Sequence, residues 1–201
     1  KLLILEMGMR GMGEIENLSK FSEPDVAVIT NIGTSHIGLL GSKENIAKAK
    51  CEIAKYLNPN GVVIIPNNDN LLEKTLKRVW NGRVLKINLI KTKENISNDG
   101  KDSITGFYDY KNGLITIDNY SFRISYKGIH NAFNFLFGYA ISQEFNIKFK
   151  KFNIFDFKSI SGRNNIIRKE RVTILDEAYN ASPESVKACI NLLLEYPGKH
   201  Y

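Results

Sequence analysis

Short apolar runs rich in β-branched residues recur along the first half of this 201-residue chain, with helical patterns between them. The runs are KLLIL (1–5), DVAVIT (25–30), GVVIIP (61–66) and RVLKI (83–87). Runs of this length and composition are typical of strands buried on both faces of a parallel sheet. The intervening helical patterns cover Glu44–Leu57 and Leu71–Trp80. This alternation predicts an α/β fold in which helices flank a mostly parallel sheet.

The pattern changes after about residue 104. Three segments with alternating apolar and polar residues follow, joined by Asn112-Gly113 and Asp118-Asn119, and they are ITGFYDY (104–110), GLITID (113–118) and SFRISY (121–126). Such segments with turns of this type predict a small antiparallel sheet. A helix with an apolar face is predicted over His130–Glu144, and the polar segment 91–103 is predicted to be a surface loop.

Residues 146–163 have no clear period and are predicted to link two domains. After them, VTILDEAY (172–179) has the pattern of a strand, and Ser182-Pro183 is a typical helix start, with serine as N-cap and proline first. We therefore expect one α/β domain over residues 1–160 and the beginning of a second over 161–201.

Composition excludes several classes of protein. No apolar run is long enough for a signal peptide or a membrane span, and 43% apolar residues suffice for a packed core. The two distant cysteines match no metal-site spacing, which suits a reducing cytoplasm. The net charge of +7 favours an anionic partner, which could be nucleic acid, nucleotide phosphate or an acidic metabolite.

One lysine stands on the wrong side of a predicted helix. At about 100° per residue, Ile46, Ile53 and Leu57 form one stripe, and Lys50 lies in the middle of it. Lys48, Lys55 and Glu52 are predicted on the opposite face. A buried ammonium is costly unless it loses its charge or is paired. Lys50 therefore calls for a chemical explanation.

Two other polar residues follow predicted strands. Glu6 comes after KLLIL, and His36 comes after DVAVIT and a short loop. Ligands of open α/β sheets bind beyond the carboxyl ends of strands, so Glu6, His36 and Lys50 could converge. A carboxylate and an imidazole can bind a divalent cation, whereas an ammonium repels it. Reaction of neutral Lys50 with carbon dioxide would give a carbamate whose oxygens suit Mg²⁺.

Each of these three residues also has an ordinary interpretation. Glu6 could cap a loop, His36 could be a surface turn residue, and Lys50 could lay its stem along the core with its ammonium in water. Their joint placement favours the metal-site hypothesis.

Five motifs in order resemble the Mur ligases over nearly the whole chain. They are EMGMRGMGEI (6–15), ITNIGTSHIGLLGSKENIAKAKCEI (29–53), GIHNAFN (128–134), SGRN (161–164) and LDEAYNASPES (175–185). The resemblance implies a P-loop NTPase-like central ATP-binding domain over 1–160 and the start of a Rossmann-like C-terminal domain over 161–201. The RGxGEI and YNASP spellings resemble the branch that joins D-alanyl-D-alanine to a UDP-linked muramoyl tripeptide.

The resemblance also implies roles for individual residues. Glu6, His36 and carbamylated Lys50 would bind Mg²⁺, and Lys50, His36 and Arg163 would be catalytic. Nucleotide contacts are implied for four residues: Asn131 and Asn134 at the adenine, Arg163 at a phosphate and Asp176 near the ribose. Asn180, in the adjoining motif, would contact substrate. The two asparagines could instead only cap a helix start, and Arg163 could be a solvated linker charge.

The implied reaction is amide-bond formation driven by ATP with Mg²⁺. ATP phosphorylates the carboxyl end of UDP-N-acetylmuramoyl-tripeptide, and the amine of D-alanyl-D-alanine then attacks the acyl phosphate. Positioning and charge neutralisation would supply most of the catalysis. We expect a monomeric cytoplasmic enzyme of peptidoglycan precursor synthesis, with no nucleic acid and no membrane insertion.

One family motif is missing. The Gly-Lys-Thr/Ser phosphate loop has no counterpart, since GKD at Gly100 and GKH at Gly198 do not match it. In the family this loop precedes the EMG segment, so we expect the chain to be a fragment that is inactive alone.

Three alternatives to this branch stay open. One is another ligase of the superfamily, such as the ligase adding the third amino acid, a folylpolyglutamate synthase or a cyanophycin synthetase. Another is a basic nucleic-acid-binding module, suggested by the interleaved Phe and Lys of residues 148–158. The third is a catalytically inactive scaffold.

Overall fold

The computed structural model describes residues 1–90, 102–147, 162–163 and 165–201. Most of the predicted loop 91–103, nearly all of the linker 146–163, the Phe- and Lys-rich stretch 148–158, and Ser161 and Asn164 of the SGRN motif lie outside these residues. The described residues form two compact units: 1–88 with 102–104, and the remainder.

Three of the four apolar runs form strands of the first unit as predicted. Its elements, in chain order, are α1 (Glu14–Ser22), β1 (Val26–Val28), α2 (Ile37–Leu40), α3 (Lys43–Cys51), a 3₁₀ turn (Glu52–Ala54), β2 (Val62–Pro66), α4 (Asn70–Leu76) and β3 (Arg83–Ile90). Strand β2 pairs in parallel with β1 on one side and with β3 on the other. Strand β2 is buried over Val62–Ile65, which explains why its sequence is apolar without alternation.

Two apolar clusters form the core of the first unit, and α3 contributes to both. Cys51 packs with residues of β1, β2 and α4. Ile46 and Ala49 pack instead with Met9, Ile15 and Leu40. Helix α3 is therefore covered on more than one side, and its small residues allow close approach.

Two features of the first unit correct the sequence predictions. KLLIL forms no strand: residues 1–9 have no regular structure, and Leu2, Leu3, Ile4 and Leu5 are exposed. A strand is stabilised by ladder hydrogen bonds to a neighbour, and no strand within the described ranges pairs with this segment. The helix predicted over Glu44–Leu57 ends at Cys51, because the next N–H groups bond three residues back in a tighter turn, as Lys55 does to Glu52 at 3.0 Å.

The antiparallel part also follows the sequence. Strands β4 (Ser103–Asp109), β5 (Leu114–Ile117) and β6 (Tyr120–Arg123) pair antiparallel. The turns contain Gly113 and Asp118, whose positive φ angles of 63° and 52° suit a tight hairpin. Helix α5 (Ile129–Glu144) matches its prediction closely, with Leu136, Phe137 and Ala140 buried.

The C-terminal part contains one strand that the sequence pattern did not predict. β7 (Asn165–Lys169) pairs antiparallel with β8 (Val172–Asp176), and α6 (Pro183–Leu193) follows. Helix α6 begins as predicted: the Ser182 hydroxyl accepts the Ser185 N–H at 3.1 Å, and Pro183 occupies the first position. In the portion of the chain that the structure describes, no helix is both long and apolar enough to cross a membrane.

Candidate functional site

Lys50 lies on a helix whose neighbouring positions are tightly packed. The Ser42 hydroxyl caps α3 by accepting the Asn45 N–H at 3.2 Å. Ala49 and Cys51 are completely buried, whereas Lys50 is half-buried. Its Nζ donates to the backbone oxygen of Asn31 at 2.7 Å and lies 3.4 Å from the Asn31 side-chain oxygen. The lysine thus projects towards the loop that follows β1.

This environment changes the chemistry of the Lys50 amine. Burial lowers its pKa, because desolvation disfavours the charged form. A larger share of the amine is therefore neutral at a given pH, and the neutral amine is the form that reacts with carbon dioxide. Lys50 is thus partly buried in the structure, which is the unusual feature that the helical pattern indicated.

Glu6 precedes α1 in the sequence and His36 follows it, and both residues are exposed. His36 precedes α2 with a φ of 64°, and its carbonyl accepts the N–H groups of Leu39 and Leu40 at 2.9 and 3.0 Å. The backbone N–H of Arg10 is the main cause that lowers the pKa of Glu14, and the charge of His36 contributes to the same shift. Glu6 is exposed in the irregular N-terminal segment.

The structure does not join the three predicted metal ligands directly. Among the hydrogen bonds and ion pairs of the described residues, none connects Glu6, His36 and Lys50. Nor do any three histidine, cysteine or acidic side chains in those ranges lie close enough together to bind one metal ion.

A buried glutamate near Lys50 corrects the predicted helical face. Glu52 is only 4% exposed, although the helical pattern placed it towards solvent. Its carboxylate accepts the Gly13 N–H at 2.8 and 3.0 Å and the Glu16 N–H at 3.3 Å, so it caps the first turn of α1. Gly13 is the N-cap of that helix, with a φ of 82° and no side-chain cap of its own. One feature of the sequence could have indicated this contact. The helix start GEIE (13–16) has glycine at its N-cap, and glycine provides no side chain to cap the helix.

The two predicted adenine residues lie one turn apart on α5. Asn131 is half-buried, and its side-chain nitrogen donates to the Lys127 carbonyl at 2.6 Å. Asn134 is exposed on the next turn. Gly128 precedes the helix with a φ of 106°, and its N–H donates to the Tyr108 hydroxyl at 2.9 Å. This bond ties Asn131 to the segment before α5, but it does not cap the helix start, because the amide donates to a carbonyl, whereas a cap accepts from the first N–H groups of the helix.

Arg163, Asp176 and Asn180 lie in one part of the second unit. The Arg163 guanidinium stacks on the Tyr179 ring, with 4.1 Å between its carbon and the ring centroid. The Asp176 carboxylate accepts from the Asn165 side chain at 3.1 Å and from the Ala178 N–H at 3.2 Å, and these bonds lower its pKa. The Asn180 side-chain oxygen accepts the Ala181 N–H at 2.9 Å. The stack of Arg163 on Tyr179 was not predicted.

Several known proteins resemble this chain in sequence or in structure. UDP-N-acetylmuramoyl-tripeptide--D-alanyl-D-alanine ligase from Synechocystis is 34% identical over 98% of the chain and 41% of its own length. The protein of the same name from Bacillus subtilis is 36% identical over 96% of the chain and 41% of its own length. The crystal structure of the MurF ligase from Thermotoga maritima in complex with ADP is similar with a TM-score of 0.76. It is 27% identical and covers 96% of the chain and 44% of that protein.

These matches also define how much of such a protein is present. The chain spans about two fifths of the length of the curated relatives. The model of the Mur ligase middle domain matches residues 1–142, which is well over half of the chain. The chain therefore belongs to the Mur ligase middle-domain family.

Proposed function

We propose that the protein containing this chain joins D-alanyl-D-alanine to UDP-N-acetylmuramoyl-tripeptide in an ATP-dependent reaction of peptidoglycan precursor synthesis. ATP would phosphorylate the tripeptide carboxylate, and the dipeptide amine would displace phosphate from the acyl phosphate to form the amide. The observation that carries the proposal is the 34% identity, over 98% of the chain, to a ligase named for these two substrates. A function in the cytoplasm as a monomer belongs to the same proposal.

Mg²⁺ is the cation that this chemistry requires, and Glu6, His36 and Lys50 would hold it. The fit depends on Lys50, because its half-buried amine has a lowered pKa and projects towards the loop that leads to His36. The amine nitrogen attacks the carbon of carbon dioxide, an N–C bond forms, and one proton leaves to solvent. The product carries a negative charge in place of a positive one. When bound, Mg²⁺ would neutralise charge on phosphate and acyl oxygens.

Residues of the second unit would bind the nucleotide. We assign Asn131 and Asn134 to the adenine, since an amide offers a donor and an acceptor to a purine edge. Arg163 would bind a phosphate, Asp176 would lie near the ribose, and Asn180 would contact substrate. The ADP in the Thermotoga maritima neighbour supports a nucleotide site in proteins of this fold. We retain the proposed division into a central domain over 1–160 and a C-terminal domain that starts at 161.

The test uses the complete gene product that contains this chain. Phosphate release from ATP is measured with each peptide substrate alone and with both together. We expect release only with both, and mass spectrometry should detect the joined UDP-muramoyl pentapeptide. Release without either substrate, or formation of no joined product, would overturn the assigned reaction.

Two lysine variants test the role of Lys50. Lys50→Ala should lose activity, and acetate or propionate should restore part of it by supplying a carboxylate in the vacated space. Lys48→Ala is the matched control, because Lys48 is exposed on the same helix. Full activity of Lys50→Ala would overturn the carbamate proposal and leave the substrate assignment standing.

A further inference from the structure

The stack of Arg163 on Tyr179 is part of a junction, by which we mean the contact between Gly162–Arg163 and the loop that follows β8. The Tyr179 N–H donates to the Gly162 carbonyl at 3.1 Å, next to the stacked pair. The backbone therefore joins the two segments at the residue preceding Arg163. A backbone hydrogen bond therefore supports the contact between the ring and the guanidinium.

Gly162 makes this close approach possible. A Cβ atom at this position would lie 2.8 Å from the Tyr179 nitrogen and 3.2 Å from its Cα, and the φ of Gly162 is +74°. Any other residue would force the two backbones apart and would also be strained at that φ. The glycine of the SGRN motif is thus explained by its contact with Tyr179.

Asp176 binds three parts of the same junction. Its carboxylate accepts from the Asn165 side chain on β7 and from the Ala178 N–H in the following loop. The Gly162 N–H is also among the hydrogen bonds that lower its pKa. One carboxylate thus holds the Gly162–Arg163 segment against the loop that carries Tyr179.

Contact with the Tyr179 ring does not use the N–H donors of Arg163, so they can still bind an anion. The central carbon of the Arg163 guanidinium lies over the Tyr179 ring, 4.1 Å from the ring centroid, and a guanidinium carries its N–H donors around the edge of its plane. Within the described parts of the chain, Arg163 forms no ion pair with a carboxylate. A flexible arginine restricted to one plane loses less freedom when it binds an anion with two parallel hydrogen bonds.

We propose that Tyr179 is a positioning residue that holds Arg163 for a nucleotide phosphate. This inference rests on the proposed function, because that function supplies the anion. Tyr179 acts through Arg163 by fixing the plane of its guanidinium, and its own hydroxyl is not required. The effect should appear mainly in the KM for ATP, because the stack organises binding before chemistry begins.

The experiment is a double-mutant cycle on the complete gene product. Kinetics are measured for Arg163→Ala, Tyr179→Ala and the double variant, with Tyr179→Phe as the conservative change. A cation–π contact at an exposed site predicts a KM for ATP raised about two- to fivefold in Tyr179→Ala. The double variant should match Arg163→Ala, and Tyr179→Phe should behave as wild type because the ring is retained. Tyr120→Ala is the matched control, since Tyr120 is 64% exposed and Tyr179 is 62% exposed.

The outcomes separate this inference from the proposed function. Additive effects of the two alanine variants, or a Tyr179→Ala enzyme with unchanged KM, would overturn the positioning role of Tyr179. If Arg163→Ala leaves the KM for ATP unchanged, both the phosphate role of Arg163 and this inference are overturned. Loss of the ligase reaction in the wild-type protein would instead be detected directly by the product assay.

Discussion

The surroundings of Lys50 and of Arg163 are built in different ways. Lys50 is carried by a helix whose adjoining residues, Ala49 and Cys51, are completely buried. Arg163 stacks on a tyrosine that is 62% exposed. Between residues 165 and 201, Leu192 is the only apolar side chain that is fully buried, whereas the first unit has two apolar clusters.

This difference shows two ways of orienting a cationic side chain. Close packing around α3 allows Lys50 few alternative positions, so its orientation follows from the core. The Arg163 junction depends instead on a few hydrogen bonds and one ring contact. Changes near Lys50 should therefore have large effects, and single changes near Arg163 should have small ones.

The largest effect is expected at Lys50. Lys50→Met should lower ligase activity about 100-fold or more, because the proposed carbamate could no longer supply an oxygen ligand to the cation. The same change should raise the melting temperature in buffer free of carbon dioxide, because it removes a charge that burial has partly desolvated. Activity assays measure the loss of activity and calorimetry measures the melting temperature, with Lys48→Met as the exposed control.

The stability gain of Lys50→Met should depend on pH. Burial lowers the pKa of Lys50 from 10.5, so the unfolded chain binds this proton more tightly than the folded protein. The penalty in the wild type is complete below the lowered pKa and disappears as pH rises through it towards 10.5. The gap in melting temperature should therefore narrow at alkaline pH, and a constant gap would contradict desolvation as its cause.

The next largest effect is expected at Glu52. Glu52→Ala leaves the N–H groups of Gly13 and Glu16 without their acceptor, which costs about 1–3 kcal/mol. Amide hydrogen exchange in α1 should accelerate about fivefold to 150-fold at the corresponding free energy. Glu44→Ala on the exposed side of α3 serves as control, and unchanged exchange in α1 of Glu52→Ala would show that the Glu52 cap does not stabilise this helix.

A smaller effect is expected at Tyr108 in the second unit. Its hydroxyl accepts the Gly128 N–H and donates to the Glu195 carboxylate at 3.2 Å. Burial raises the pKa of Tyr108 to about 12, so this donor stays protonated at neutral pH. Tyr108→Phe should cost about 1 kcal/mol and accelerate exchange at the start of α5 about fivefold. Tyr110→Phe is the control, and equal exchange in both variants would contradict the link to α5.

The last comparison concerns the reactivity of the two cysteine thiols, and it requires no substitution. Cys51 is completely buried in the Lys50 region, and burial raises its pKa to about 12. Cys189 on α6 is half-buried, and its pKa is raised by the same cause. At pH 8 a thiol reagent should label the Cys189 peptide first, with Cys51 labelled only after unfolding. Equal labelling rates, read by mass spectrometry, would contradict the difference in packing.

Much of the fold was predictable because its signals are local. The apolar composition of GVVIIP predicted a strand buried on both faces, and the Asn112-Gly113 turn predicted a hairpin. Ser182 and Pro183 predicted the start of α6, because a cap is formed by residues three positions apart. The unusual position of Lys50 was also visible, since helical periodicity shows which residues share a face.

Other features depend on contacts distant in sequence. The burial of Glu52 arises from contact with a helix whose N-cap, Gly13, lies 39 residues earlier in the sequence. KLLIL has the composition of a strand, but composition does not supply a hydrogen-bonding neighbour. The stack of Arg163 on Tyr179 requires two segments to come into contact at Gly162, and this contact cannot be recognised from the local sequence pattern.

The amino-acid sequence by itself determined the parallel strands β1–β3 and the antiparallel strands β4–β6, and it marked Lys50 as exceptional. Periodicity, turn residues and caps act over a few residues, so they can be recognised without a structure. Only the tertiary structure decided which polar groups are paired and which face of α3 is covered. Pairing and burial depend on segments brought together by folding, and their energies exist only once those segments meet.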